Sequence, residues 1–448
     1  MTTFNPRPIK KLVGLKKEEF DSFIHNKQIR LQPARLIPAL KTGDEMALTS
    51  IFLATVNLVK EYRDRIFKEL KFNRSGKAYY YTEVEFPEIG NSRIDGLIII
   101  VTKGVITDGA FLEMKNKNNC LDAAQLETYL SLASRLKVGK LVTVSNEFVA
   151  DSSHCPANVK APKSIVMSHF SWTYLITIGQ LLLFKNDTNI EDEDQVKIMR
   201  ETLYYFENPV SGINGYTQMK PGWKELADNV NAQKPLKESD EYIKDAVSSW
   251  YEEEKDLSLL MSRKLGVLVK ATPKSKDSFK SDIKRLVKEN YISSSIFIKD
   301  SVSDIKINAE FERRTVSMSI KVNPPMDKGS AARITFIAKQ LENAKKKSDS
   351  VFHKLENKIW VEANIKYAKD KLKVKLSELS TLSELTKGKE IQAFHIVLII
   401  GFGSNFASVK KFIESIEQMI LDYYESIVQH MSNWNRPAPK LGEPKEEM

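Results

Sequence analysis

Apolar residues recur every three or four positions over long stretches of the first half of the chain, which is the period of a helix with one buried face. Between residues 44 and 70 this spacing predicts a single long helix, ended by the sequence Asn73-Arg74-Ser75-Gly76. Three segments rich in β-branched and aromatic residues come next. They predict a meander of strands over residues 78–86, 93–102 and 109–115.

The helical period returns over residues 122–136, and residues 141–144 have the composition of a further strand. This order of elements predicts an α/β fold in which helices flank a mixed central sheet. Residues 160–215 are predicted to be helical. The apolar stretch 172–184 within them is shorter than the roughly 20 residues that a membrane span needs, so it predicts a buried helix.

The pattern changes after residue 219. Pro221, Gly222 and Pro235 mark residues 220–240 as a linker between domains. Beyond it, a C-terminal α+β domain of regulatory or target-binding role is predicted over residues 241–435. Its expected strands are residues 316–322, 359–367 and 394–400, and its expected helices are residues 331–347 and 409–430. Residues 1–43 form an N-terminal segment, and the Pro-rich, charged tail 436–448 is predicted to be disordered.

Charge and cysteine content narrow the class of partner. Sixty-eight Lys and Arg residues against 58 Asp and Glu residues give a net charge of +10, which favours a polyanionic partner. The two cysteines are too few for a disulfide framework, and the first residues lack the apolar core of a signal peptide. A cytoplasmic protein without a membrane partner is therefore expected.

Candidate chemistry lies at the ends of the predicted strands. Asp95 stands near the start of the second strand, and Glu113 and Lys115 end the third. Because side chains alternate along a strand, Glu113 and Lys115 point to the same side of the sheet. Two neighbouring strands can thus direct two carboxylates and an amine to one point, and one or two carboxylates are what a protein usually offers to Mg²⁺.

Glu83 and Glu85 are candidates for completing this acidic group. A hairpin around residues 88–91 is predicted to bring Glu85 opposite Asp95, with Glu83 on the same face. The alternative is that both are exposed cross-strand charges, and the sequence leaves this open.

Taken in chain order, the residues Ile94-Asp95, Glu113-x-Lys115 and Gln125-x-x-x-Tyr129 form a recognisable set. The set resembles the PD-(D/E)xK nuclease superfamily, in its RecB-type branch, with Ile94 in place of the nominal Pro. The resemblance implies a restriction-endonuclease-like core, with the nuclease domain over residues 44–219 and residues 171–215 as a helical extension.

In such a nuclease, Asp95 and Glu113 are implied to hold Mg²⁺, or Mn²⁺ in its place, together with the backbone carbonyl of Met114. Lys115 is implied to assist the attacking water. Gln125 is implied to support the centre from the helix.

Three more residues are assigned by the same resemblance. The acidic residue of the first core helix corresponds to Glu45. Tyr129 and Lys117 are expected near the nucleic acid, although packing is the main role expected for Tyr129.

The implied function is divalent-metal-dependent hydrolysis of DNA phosphodiester bonds, by analogy in antiviral defence. RNA cleavage is the nearest alternative. A third interpretation is a non-catalytic scaffold that binds nucleic acid or senses a ligand. Expected partners are DNA ahead of RNA, and a second copy of the chain or a defence-system protein.

The C-terminal half contains one further pattern. Lysines dominate residues 337–375, and Phe352, Trp360 and Tyr367 lie among them. Lysines with interleaved aromatics suit phosphate contacts and base stacking. The alternative, a solvated helix face with core aromatics, is favoured because Trp360 and Tyr367 lie at strand-like positions.

Overall fold

The computed structural model of the protein describes residues 9–38, 40–72, 75–89, 92–148, 156–157, 159–184 and 190–435. The predicted disordered tail, 436–448, lies outside these residues. The chain divides into two compact units. The first comprises Met1–Thr217 and Tyr251–Leu268, and the second comprises Gln218–Trp250 and Val269–Met448.

The first unit is built on a six-stranded mixed sheet whose strands follow one another in chain order. The first four strands pair antiparallel, whereas the fourth, fifth and sixth pair parallel. The strands are β1 (Arg30–Pro33), β2 (Lys77–Glu85), β3 (Arg93–Thr102), β4 (Val105–Met114), β5 (Lys140–Ser145) and β6 (Val166–Ser171).

Helices cover both faces of this sheet, which explains why the central strands are apolar along almost their whole length. One face packs against α2 (Glu45–Leu58), α3 (Lys60–Glu69), α5 (Trp172–Leu183) and α6 (Glu193–Glu207). The other face packs against α1 (Lys17–His25) and α4 (Ala123–Leu136).

The long helix predicted over residues 44–70 is two helices. Val59 separates α2 from α3 and has extended backbone angles, with φ −105° and ψ 104°. The amide of Lys60 donates to the side-chain carbonyl of Gln195 at 2.7 Å, so a residue far along the chain satisfies a donor at the break. Within residues 160–215, predicted as helical throughout, β6 is a strand because its backbone pairs with β5.

The second unit contains a seven-stranded antiparallel sheet of order β12-β11-β13-β10-β9-β8-β7. Its strands are β7 (Lys270–Ala271), β8 (Tyr291–Phe297), β9 (Ile305–Glu310), β10 (Thr315–Val322), β11 (Ile359–Ile365), β12 (Leu372–Lys375) and β13 (Ile391–Gly401). Its helices include α7 (Pro221–Asn231), α9 (Lys276–Glu289), α10 (Ser330–Lys347), α11 (Asp349–Leu355), α12 (Leu382–Leu385) and α13 (Val409–Ser426).

The stretch predicted as a linker, residues 220–240, holds helix α7. Trp223 of this helix is fully buried, and its indole nitrogen donates to the Phe406 carbonyl at 2.8 Å. Pro221 occupies the first turn, where proline is tolerated, so it starts the helix instead of breaking it. Helix α8 (Glu241–Leu265) crosses the division between the units, which falls after Trp250.

Among the described residues, no helix combines the length and the apolar character needed to cross a membrane.

Candidate functional site

Asp95 and Glu113 are brought together by the pairing of β3 with β4. Gly96 pairs with Leu112, so the next residues along the two strands, Asp95 and Glu113, lie opposite each other. Asp95 Oδ2 accepts a hydrogen bond of 2.8 Å from the amide of Met114. The bond holds the Asp95 carboxylate against the end of β4, beside Glu113.

Lys115 completes the group one residue beyond β4. Its Nζ lies 2.7 Å from Glu113 Oε1 and 3.5 Å from an oxygen of Glu45, the first residue of α2. The Lys115 carbonyl accepts a 2.8 Å hydrogen bond from the indole of Trp172, which is fully buried. The Lys115 ammonium group therefore lies between the carboxylates of Glu113 and Glu45, and the hydrogen bond from Trp172 holds its backbone in place.

The electrostatics of this group are set by burial. Glu113 is fully buried and Asp95 partly so. Burial, with the adjacent charge of Glu113, raises the pKa of Asp95 to about 8, against the opposing effects of the Met114 amide and Lys115. Burial alone would lower the pKa of Lys115, but the hydrogen bond and charge of Glu113 raise it. At neutral pH the Asp95 carboxyl is therefore mostly protonated, beside the charged ammonium group of Lys115.

Helix α4 supplies a second layer over the acids. Its N-cap residue, Asp122, accepts a hydrogen bond from the Gln125 amide at 2.9 Å. Gln125 Nε2 donates to the Tyr129 hydroxyl at 2.8 Å, and that hydroxyl donates to the Arg93 carbonyl at 2.6 Å. Burial and the charge of Glu113 raise the pKa of Tyr129. The two helix residues are therefore tied to the start of β3, next to Asp95.

Asn116 and Asn119, which follow β4, hydrogen-bond to the side chain of Glu45. Its Oε1 accepts from the Asn119 side chain at 2.7 Å and from the Asn116 amide at 3.3 Å. The buried Asn116 side chain donates to the carbonyls of Gly43 and Ser211, at 3.0 and 2.7 Å. Asn116 thus holds two loops and the start of α2 around the site.

Sequence reasoning missed the role of Asn116, because a single Asn after a strand carries no distinctive signal. Gly43 was also overlooked. It has a φ of 73°, and a side chain there would place Cβ 2.1 Å from the Val210 carbonyl oxygen. Only glycine fits where these loops meet.

The predicted register of the first hairpin is wrong. Glu85 pairs with Arg93, not with Asp95, and Glu83 occupies the position opposite Asp95. Glu83 has a φ of 54°, which interrupts the ladder, and its carboxylate forms a 3.0 Å ion pair with Arg93. Burial raises the pKa of Glu83, although Arg93 opposes that effect. Glu85 lies 3.6 Å from Arg30.

A cavity of about 360 Å³ opens onto this cluster. Its lining includes Asp44, Glu45, Met46, Glu85, Arg93, Asp95, Lys115 and Gln125. Lys117, in the loop that follows β4, is exposed, and its backbone amide donates to the Gly212 carbonyl at 2.8 Å. Met114 has its side chain buried in the core on the opposite face from Glu113.

A larger cavity of about 500 Å³ lies at the other end of β2, lined by residues that include Arg63, Asp64 and Tyr80. Its one carboxylate lies 3.4 Å from the Arg63 guanidinium. The described lining of the larger cavity contains no second carboxylate. A site that needs two neighbouring carboxylates is therefore found at the smaller cavity, beside Asp95 and Glu113.

The residues around Asp95 fit a hard divalent cation. Both oxygens of Glu113 are buried, and beyond the ion pair with Lys115 no well-aligned hydrogen-bond donor within the described ranges meets them. A cation that displaces the proton of Asp95 would contact the oxygens of both carboxylates, and Mg²⁺ needs only one or two carboxylates from the protein. No group of three or more His, Cys, Asp or Glu residues in the described part of the chain is arranged to hold a metal ion.

Comparison with known protein families, with curated proteins and with solved structures found no match for this chain.

Proposed function

We propose that the first unit has a restriction-endonuclease-like core and that the protein is a divalent-metal-dependent nuclease. The observation that supports this most strongly is the cluster of Asp95, Glu113 and Lys115 at the ends of the central strands β3 and β4, beside a cavity that Asp95 and Lys115 line. Burial and the neighbouring charge of Glu113 make an ionised Asp95 unfavourable without a cation. Metal-assisted chemistry would explain why the two carboxylates lie together beside the ammonium group of Lys115.

Asp95 and Glu113 would hold Mg²⁺ or Mn²⁺, with the Met114 carbonyl as a third oxygen donor and Glu83 and Glu85 behind them. Bound there, the cation would supply a more acidic water and neutralise charge on a phosphate. Lys115 would orient the nucleophile and stabilise negative charge on the phosphoryl oxygens, because its pKa is raised and it stays protonated.

The remaining residues of the site would act by positioning. Gln125 would steady the acids through Tyr129 and the start of β3. Glu45 would hold Lys115 from the other side of the cluster. Lys117, exposed on the adjoining loop, would meet the phosphate backbone.

DNA is the proposed substrate, with RNA as the alternative, and a role in defence against foreign DNA is part of the proposal. The net charge of +10 supports a polyanionic substrate without choosing between the two.

A substrate-by-metal panel tests the proposal. Purified protein is incubated with plasmid, linear duplex, single-stranded DNA and RNA, in Mg²⁺, Mn²⁺ or EDTA. Lys115→Ala should lower the cleavage rate by about 100-fold or more, as the loss of a transition-state charge partner does. Lys68→Ala, which removes an exposed lysine of α3, is the matched control. Cleavage that survives EDTA or Lys115→Ala would exclude this site, and binding without any cleavage would favour the scaffold.

A further inference from the structure

Helices cover one face of the seven-stranded sheet of the second unit. On the covered face, β10 contributes the fully buried Val316, Met318 and Ile320, while the Tyr423 hydroxyl of α13 donates to the Ile396 carbonyl. Alternate residues form the opposite face, which we call the lysine face; its lysines are exposed, whereas Val397 and His395 at its centre are buried. Its members include Lys306, Asn308, Ser317, Ser319, Lys321, Trp360, Glu362, Lys371, Lys373, Lys375, His395 and Val397.

Strand register arranges these side chains in transverse rows. One row runs from Lys375 through Trp360, Val397 and Ser319 to Lys306. The next row contains Lys373, Glu362, His395 and Lys321. With strands about 4.8 Å apart, Lys306 and Trp360 are separated by about 14 Å, a distance that a few nucleotides of an extended strand span.

Positive charge dominates this face. Its lysines include Lys306, Lys321, Lys371, Lys373 and Lys375, all of them exposed, and they outnumber the acidic strand residues Glu362 and Glu310 on the same side of the sheet. Glu362 forms ion pairs with Lys371 and Lys373, at 3.1 and 3.4 Å. Burial, together with the charges of Lys371, Lys306 and Lys321, lowers the pKa of His395 to about 4, although Glu362 opposes them.

Trp360 lies within this positive surface and is partly exposed. The ammonium groups of Lys373 and Lys375 lie 5.2 and 5.7 Å from its ring centroid. Phe297, which ends β8, lies on the same side of the sheet and is 49% exposed. An aromatic ring among ammonium groups on a flat sheet suits a ligand that carries phosphates and stackable bases.

We propose that the lysine face binds single-stranded nucleic acid, with a base stacked on Trp360 and backbone phosphates on Lys306, Lys321 and Lys375. A single strand fits better than a duplex because the bases of a duplex are already stacked on each other and cannot reach the ring. This binding is separate from the proposed cleavage site in the first unit, and it stands whether or not that site cleaves.

Fluorescence anisotropy with labelled single-stranded DNA and RNA of about 20 nucleotides tests the proposal. The full chain carries Lys115→Ala and is kept in EDTA, so that cleavage cannot affect the result. Trp360→Ala should weaken binding about tenfold, whereas Trp360→Phe should retain most of the affinity. Tryptophan fluorescence should be quenched on binding, and the quenching should be lost in Trp360→Ala. It should be kept in the control variant Trp434→Phe, which removes an exposed tryptophan that packs against Phe336 in the natural protein.

Salt dependence tests the phosphate contacts. Replacing Lys306, Lys321 and Lys375 together by Ala should flatten the slope of log affinity against log salt by about 2, since each phosphate contact to a single strand contributes roughly 0.7. The matched control replaces Lys280, Lys284 and Lys288, three exposed lysines of α9 outside the lysine face. The proposal fails if this control flattens the slope equally. It also fails if Trp360→Ala binds normally, or if polyglutamate or a duplex of equal length binds as well as the single strand.

Discussion

Metal binding at the acid pair should be linked to the release of a proton. The pKa of Asp95 is raised to about 8 by burial and by Glu113, so only about a tenth of Asp95 is ionised at pH 7. A divalent cation binds ionised carboxylates, so it must displace the proton of Asp95. Its apparent affinity should rise close to tenfold for each pH unit between 6 and 8, and level off above 8.

Isothermal titration calorimetry with Mn²⁺ measures both quantities. Titrations at pH 6, 7 and 8, each in two buffers of different protonation enthalpy, give the affinity and the number of protons released. About one proton per ion is expected below pH 8. The matched variant Asp95→Asn removes the acid while keeping its shape, and it should bind weakly with no proton release. An affinity that is the same at pH 6 and pH 8 would refute the reasoning.

Three further predictions concern stability. Because the folded-state pKa of Asp95 lies above its unfolded value, its ionisation opposes folding as pH rises from about 4 to 8; metal-free Asp95→Asn should therefore unfold at higher urea concentration than the natural protein at pH 8. For His169 the pH dependence of stability has the opposite sign, because burial lowers its pKa to about 4. The free energy of unfolding from urea titrations should therefore fall by up to about 3 kcal/mol between pH 6.5 and 4, and His169→Gln should flatten that dependence. Asn116→Ala leaves the carbonyls of Gly43 and Ser211 unmet and should cost about 2 kcal/mol, with a loss of cleavage that Asn116→Asp does not restore.

The acid pair and Lys115 were predictable because they depend on local rules. Strand alternation places Glu113 and Lys115 on one side, and a short β-meander brings Asp95 beside them. Helical spacing likewise places Gln125 and Tyr129 one turn apart. None of these relations needs a contact between distant parts of the chain.

Features that depend on distant contacts were not predictable. The break at Val59 is matched by Gln195, which lies 135 residues from Lys60 in sequence. The register of β2 against β3 depends on the left-handed backbone at Glu83, which is an unusual conformation for a non-glycine residue. The exposure of Trp360 follows from which face of the second sheet the helices cover, and a strand-like pattern alone does not decide that.

The most direct test of the central claim is the Mg²⁺ dependence of phosphodiester cleavage in the natural protein, Glu113→Gln and Asp95→Asn, each confirmed as folded by circular dichroism. The account predicts saturable activation by Mg²⁺ in the natural protein and a loss of at least about 100-fold in both variants. Equal cleavage by the three proteins, or cleavage that needs no divalent ion, would contradict the claim that these two carboxylates share a catalytic cation.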